Sequence, residues 1–189
     1  MRFVLCITGA SGAIYGYRLL EVLSQKAELD VVISSAGSVV LKEELGLTPV
    51  QLKEKFPQVR FWKERELTAP VASGSKLVKY AGVVVAPCSM STLGAVAGGV
   101  NVNLIHRVCE VALKERVKLV MLVREMPYSR VHIENMLRAT DAGAVIVPAS
   151  PGFYHRPKTL EELVDFVVGK VLDQLRVEHN LFKRWKDVL

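Results

Sequence analysis

The sequence predicts a doubly wound α/β domain, and three observations carry that prediction. Short β-branched apolar runs recur along the 189-residue chain without polar alternation, so each is a strand buried on both faces of a parallel sheet. Segments with helical spacing separate the runs, as right-handed βαβ crossovers require. Hydroxyls, prolines and isolated charges gather just after the runs, at the edge where open α/β sheets bind ligands.

The first strand covers residues 3–7; it breaks into Gly9-Ala10-Ser11-Gly12-Ala13 and resumes as a helix over 14–26. Residues 29–34 form a second strand ending in Ser34-Ser35-Ala36-Gly37, with a helix over 39–45 behind it. Further strands are read at 83–86, 119–123 and 144–147, and helices at 91–97, 104–115, 129–142 and 159–174. The last helix opens at Pro157-Lys158-Thr159, where Thr159 and Glu162 have capping-box spacing. The polar stretch 61–76, with Gly74, reads as a mobile loop. No internal repeat or low-complexity linker is present, so the chain reads as one domain over 1–189, closed by the helix and tail 159–189.

Composition narrows the function. The net charge is +6, but the lysines and arginines are scattered among acids and no basic stripe is interleaved with aromatics. Nucleic acid is therefore not an expected partner, whereas anionic small ligands are. Cys6, Cys88 and Cys109 are odd in number, far apart and in apolar settings, which excludes a disulfide framework and zinc-like spacing. The N-terminus reads as a strand and the longest apolar runs are too short to span a bilayer, so a cytoplasmic protein with no membrane contact is expected.

A strand, a small-residue turn and a helix form a phosphate grip from backbone N–H groups. The spacing G-A-S-G-A, then Gly16, departs from the G-x-G-x-x-G of dinucleotide sites, and no acid closes the second strand to hold a ribose. With Ser34 and Ser89-Met90-Ser91-Thr92, the loop makes a set of neutral donors suited to the phosphate and ribityl chain of FMN. A tight βα turn with Ser11 as N-cap is the plainer account of the loop alone. On "NLIHRVCEVALKER", Arg107, Glu110 and Lys114 share a face, either as a salt-bridge ladder or as a cationic surface for a phosphate. Arg124-Glu125 ends an apolar run, which makes Glu125 a candidate acid/base. Tyr154 sits in the stiff "PGFYHRP" and either packs or presents its hydroxyl to a pocket mouth. Lys170 lies mid-helix in "VVGKVLDQL", where a snorkelling stem is the alternative to a ligand contact.

Together "GASGAIYG", "PCSMSTL", "RVCEVALKER", "LVREMP", "GAVIVPASPGFYHRP" and "VGKVLDQL" resemble the flavin prenyltransferases of the UbiX type, also known as phenylacrylic acid or 3-octaprenyl-4-hydroxybenzoate decarboxylases. The resemblance spans essentially the whole chain. It implies a flavodoxin-like Rossmann fold, a homododecamer with active sites at subunit interfaces, and no metal. It implies transfer of a dimethylallyl group from dimethylallyl monophosphate to N5 and C6 of reduced FMN, the prenylated FMN then serving a UbiD-type decarboxylase. Carried over by motif, Gly9, Ala10, Ser11, Ser34, Ser89, Met90, Ser91, Thr92 and Arg124 hold FMN. Tyr154, Lys170, Lys114 and Glu125 meet the prenyl phosphate, and Glu125, Lys114, Ser11, Arg107 and Glu44 are the catalytic set. Many relatives carry arginine where this chain has Lys170, which supplies charge without a bidentate fork.

Two rivals share the fold. A flavin-dependent cysteine decarboxylase would use an early histidine and a P-A-x-A-N-T segment, whereas all four histidines here follow residue 100 and the segment reads P-C-S-M-S-T. A non-catalytic flavin carrier would leave Lys114 and Glu125 without a purpose.

Overall fold

The computed structural model describes residues 1–185. Strands β1 (Arg2–Ile7), β2 (Glu28–Ile33), β3 (Arg60–Lys63), β4 (Gly82–Cys88), β5 (Leu119–Val123) and β6 (Ala144–Pro148) form one sheet in the order β3-β2-β1-β4-β5-β6. Every pairing is parallel. This is the Rossmann strand order, and its direction of winding reverses between β1 and β4. The helices are α1 (Ala13–Lys26), α2 (Ser35–Leu45), α3 (Pro49–Lys55), α4 (Gly74–Leu77), α5 (Met90–Ala97), α6 (Leu104–Lys114), α7 (Arg130–Asp141) and α8 (Leu160–Leu175).

Side chains on both faces of the sheet are apolar, which is why the strands read as unbroken runs. Val84 and Ala86 of β4 join a core with Leu19, Leu20 and Leu23 of α1 and Val168, Val171 and Leu172 of α8. Val83 and Val85 point the other way, toward Leu93 of α5 and Ile105, Val108 and Ala112 of α6. Cys6, Cys88 and Cys109 are free and buried there, and burial pushes their thiols up in pKa, Cys109 to about 12, so none is an activated nucleophile. No helix among the described residues is long and apolar enough to cross a membrane.

The stretch expected to be a mobile loop is ordered structure. Its first residues belong to edge strand β3, a 3-10 turn follows at Pro70–Ala72, and α4 begins at Gly74. Ala69, Val71 and Ala72 from this segment, with Leu77 just after it, are buried in the core. Asp30, only 1% exposed on β2, anchors β3 by accepting from Arg60 Nε (2.9 Å) and Nη2 (2.8 Å) and from Trp62 Nε1 (2.7 Å). Tyr80 adds a fourth donor at 2.8 Å. A four-residue strand with charged ends lacks the apolar run that revealed the others.

Two smaller expectations also change. Gly12, not Ser11, caps α1, in the left-handed region at φ 102°, where an L side chain would be strained. At α8 the Thr159 hydroxyl accepts from Glu162 N at 3.2 Å, but the Glu162 carboxylate turns to Lys158 N, so the capping box is half formed. Residues 186–189 of the expected C-terminal tail lie outside the described residues.

Candidate active site

The C-terminal ends of β1, β2 and β4, where the winding reverses, open onto a cavity of about 250 Å³. Gly9, Ser34, Ala36, Glu64, Ser89, Ser91, Thr92, Asn103 and His106 line it. Three of these residues are helix N-caps. Ser34 Oγ accepts from Gly37 N on α2 (2.9 Å), Ser89 Oγ from Thr92 N on α5 (3.3 Å) and Asn103 Oδ1 from His106 N on α6 (2.9 Å). Each N-cap satisfies one donor of the first turn, leaving others without an intrahelical acceptor. Three positive dipole ends at one cavity make a place for an anion.

Close backbone packing brings these ends together. A Cβ on Gly9 would collide with that of Ala36, and one on Gly37 would stand 2.6 Å from the Ile7 carbonyl oxygen. Thr8, buried behind the loop, donates to Pro87 O (2.7 Å) and accepts from Ser89 N (2.8 Å), fixing β1 against the start of α5. Ser89 Oγ also lies 3.1 Å from both Ser91 Oγ and Thr92 Oγ1, so the hydroxyls act as one hydrogen-bonded group.

The Gly9–Gly12 loop is held from two sides. Glu44 of α2 accepts from Gly12 N (2.9 Å) and Ala13 N (2.8 Å), taking the N-terminal donors of α1. Arg124, at the end of β5, donates from Nε to Ser11 O at 3.0 Å. Beside it, the Glu125 carboxylate accepts from Met126 N at 3.1 Å. Ser11 itself is exposed, whereas Ala10 and the Met90 side chain are buried, so those two can offer a ligand only their backbones.

A model of the Flavoprotein family matches residues 1–172. The flavin prenyltransferase UbiX of Aquifex aeolicus is 56% identical over 98% of both chains. The chain belongs to the flavin prenyltransferase family. AnUbiX (PadA1), solved in complex with FMN and dimethylallyl pyrophosphate, is 38% identical and superposes with a TM-score of 0.92 over 97% of this chain and 96% of its own. A dodecameric FMN-dependent UbiX-like decarboxylase from Escherichia coli O157:H7 is 34% identical, with a TM-score of 0.92 over 98% and 99%. Membership makes this chain a flavoprotein enzyme of the prenyltransferase class, with the fold the sequence predicts.

Measured against the flavin prenyltransferase site implied by the motifs, the structure gathers part of it. Gly9, Ser34, Ser89, Ser91 and Thr92 share the cavity, with Ser11, Arg124, Glu125 and Glu44 around the adjoining loop. Lys114 is elsewhere: it ends α6, about 16 Å along the helix from Asn103, and pairs with Glu115. Arg107 binds Ala72 O (3.1 Å) and Glu110 (2.9 Å), so the expected ladder stops at Glu110. Tyr154 packs edge-on against Phe166 and Trp185, with ring centroids 5.6 and 5.2 Å apart. The Lys170 ammonium stands 3.4 Å from Asp173, which also takes Arg184 and His179.

Sequence reasoning missed four lining residues: Ala36, Glu64, Asn103 and His106. Asn103 could have been found, because an asparagine directly before an apolar-periodic helix is an N-cap pattern. Glu64 follows the unread strand β3 and carries no local signal. Burial pushes the His106 imidazole down in pKa, and the nearby Glu64 carboxylate opposes that without overcoming it.

Proposed function

We propose that the chain transfers a dimethylallyl group from dimethylallyl monophosphate to N5 and C6 of reduced FMN, and that the prenylated FMN passes to a UbiD-type decarboxylase. The observation that carries this reading is the convergence of the Ser34, Ser89 and Asn103 helix N-termini on one cavity, in a chain of this family. Those ends and the Gly9 loop would hold the FMN phosphate and ribityl chain through Ser34, Ser89, Ser91, Thr92 and the backbone of Gly9, Ala10, Ser11 and Met90. Arg124 would fix the loop from the β5 side.

Reduced FMN supplies the nucleophile and the allylic monophosphate the electrophile. The carbon–oxygen bond of the prenyl phosphate breaks as N5 bonds the freed carbon and gives up its proton to Glu125 or to the departing phosphate, which cations stabilise. A proton returned to the alkene then lets C6 bond the tertiary carbon and lose its own hydrogen to the same base. Glu44 and Ser11 lie at the α1 end of the same loop. Lys114 and Arg107 face away from the cavity of their own chain, so we assign them to a neighbouring copy's site in a homo-oligomer, a dodecamer as in the similar Escherichia coli protein. Exposed apolar side chains on α7 and before it, Met126 (86%), Val131 (61%), Ile133 (56%) and Leu137 (62%), offer a surface for such assembly.

Two measurements test the reading. Titration of the purified protein should show saturable binding of FMN and much weaker binding of NAD; equal or tighter affinity for NAD contradicts the assignment of the cavity. Tyr154 and Lys170 are assigned to the prenyl phosphate, outside the FMN segments. Lys170→Met should therefore raise the apparent KM for dimethylallyl monophosphate and spare FMN binding, while Lys170→Arg keeps most activity. An unchanged KM in Lys170→Met would leave the lysine with Asp173 alone.

A further inference from the structure

We propose that the chain binds a phosphorylated small molecule in a second cavity, at the opposite edge of the sheet, through Arg116, Lys118 and Arg176. This cavity has a volume of about 490 Å³ and lies at the N-terminal ends of β4, β5 and β6, with Ala81, Lys118 and Gly143 in its wall. That volume is within the usual range for a small-molecule pocket. Arg116, Lys118 and Arg176 line it, all exposed, and no hydrogen bond or ion pair engages their side chains among the described residues. The Arg116 guanidinium extends from the end of α6 to that of α7, with Nη1 4.0 Å from where a Cβ on Gly143 would lie. Glu115 is the one carboxylate among the described lining residues, and Lys114 holds it.

Three helices end at this cavity, and they end differently. α7 finishes at Gly143, where φ is 110° and glycine meets no strain. α6 and α8 turn with arginine instead, at φ 57° for Arg116 and 56° for Arg176. The amides that follow close both turns, Val117 N on Ala112 O at 2.9 Å and Val177 N on Leu172 O at 3.0 Å. Glycine is the usual residue in such a turn, and an L side chain there is strained. Among the described residues three that are not glycine take a left-handed φ, and two of them line this cavity. Strain kept twice at one place points to a use for the side chains. Neutralising the helix ends accounts for part of the charge only. Each C-terminal dipole carries about half a negative charge, so the three ends leave the three cations with a positive surplus. Two guanidinium forks suit the oxygens of a phosphate, and Val78 and Leu113 beside them give its organic substituent apolar contact.

The test is calorimetric titration with phenyl phosphate and with inorganic phosphate, at about pH 7.5 and low salt. At that pH a phosphate monoester with a second pKa of about 6 is mostly dianionic. Excess FMN is present to fill the cavity at the other edge. Phenyl phosphate should bind once per chain at submillimolar concentration, about threefold or more tighter than inorganic phosphate. Combining Arg116→Gly with Arg176→Gly should weaken it about tenfold or more and leave FMN binding as it was. Without phosphate that double variant should melt at or above the wild-type temperature, because glycine relieves the left-handed strain. Lys118→Gln, at a position without such strain, should weaken phenyl phosphate about threefold. No binding to the wild type, or unchanged binding in the double variant or in Lys118→Gln, overturns the proposal. So does a double variant that melts several degrees lower without phosphate, which would assign both arginines to the helix ends. The outcome is independent of prenyl transfer, since the two cavities share no residue.

Discussion

Replacing Glu125 by glutamine is expected to leave FMN bound and to slow prenyl transfer by about a hundred- to ten-thousand-fold. Glu125 lies two residues beyond the buried strand β5 and stands next to Arg124, whose guanidinium holds the Gly9–Gly12 loop through Ser11 O. The substitution keeps the length of the side chain and the acceptor that meets Met126 N at 3.1 Å, so the local backbone should persist. What it removes is a group able to take the proton released when the flavin ring forms its bond to carbon. Anaerobic stopped-flow spectra of the flavin would follow the rate. Wild-type turnover in Glu125→Gln would remove the residue from the chemistry and leave the departing phosphate as the base.

The second large effect concerns stability. Asp30→Asn should lower stability by about 2–4 kcal/mol, somewhat under the range for broken buried ion pairs because Arg60 is 42% exposed and can return to water. For a chain of this length that is a fall in Tm of about 5–15 °C. All four donors from Arg60, Trp62 and Tyr80 aim at a carboxylate, and the amide of asparagine would set N–H groups against some of them. The effect has a pH signature. Burial pushes Asp30 up, but the hydrogen bonds from Arg60, Trp62 and Tyr80 and the charge of Arg60 together hold its pKa below the ordinary value. A depressed acid contributes stability that is present above its unfolded pKa of about 3.9 and lost as pH falls through the folded value. The gap between wild type and Asp30→Asn should thus be full at neutral pH and shrink below about pH 4. A constant gap down to acid pH in thermal melts would mean that the carboxylate's charge is not what anchors β3.

The fold was legible where burial on two faces leaves a mark in the chain. Residues 119–123 were placed to the residue because Leu-Val-Met-Leu-Val is apolar throughout and flanked by charge. Strand β3 was missed because Arg60-Phe61-Trp62-Lys63 pairs on one edge only and is held by Asp30, thirty residues away in sequence at Arg60. The site was legible in its hydroxyls: Ser34 and Ser89 are N-caps, and caps announce themselves by position before a helix. Glu64 and His106 reach the cavity through tertiary placement alone, and Lys114 stands far from it for the same reason: a helix position says which face a residue is on, not which end of the sheet it serves. Motif resemblance supplied the roles of Tyr154 and Lys170, which no spacing in this chain implies.

The most direct measurement of the central claim is the mass of the flavin released after anaerobic incubation of the protein with reduced FMN and dimethylallyl monophosphate. The account predicts FMN heavier by one five-carbon prenyl unit, formed without added metal and absent when either partner is omitted. Recovery of unchanged FMN alone, from protein that binds both compounds, would contradict it.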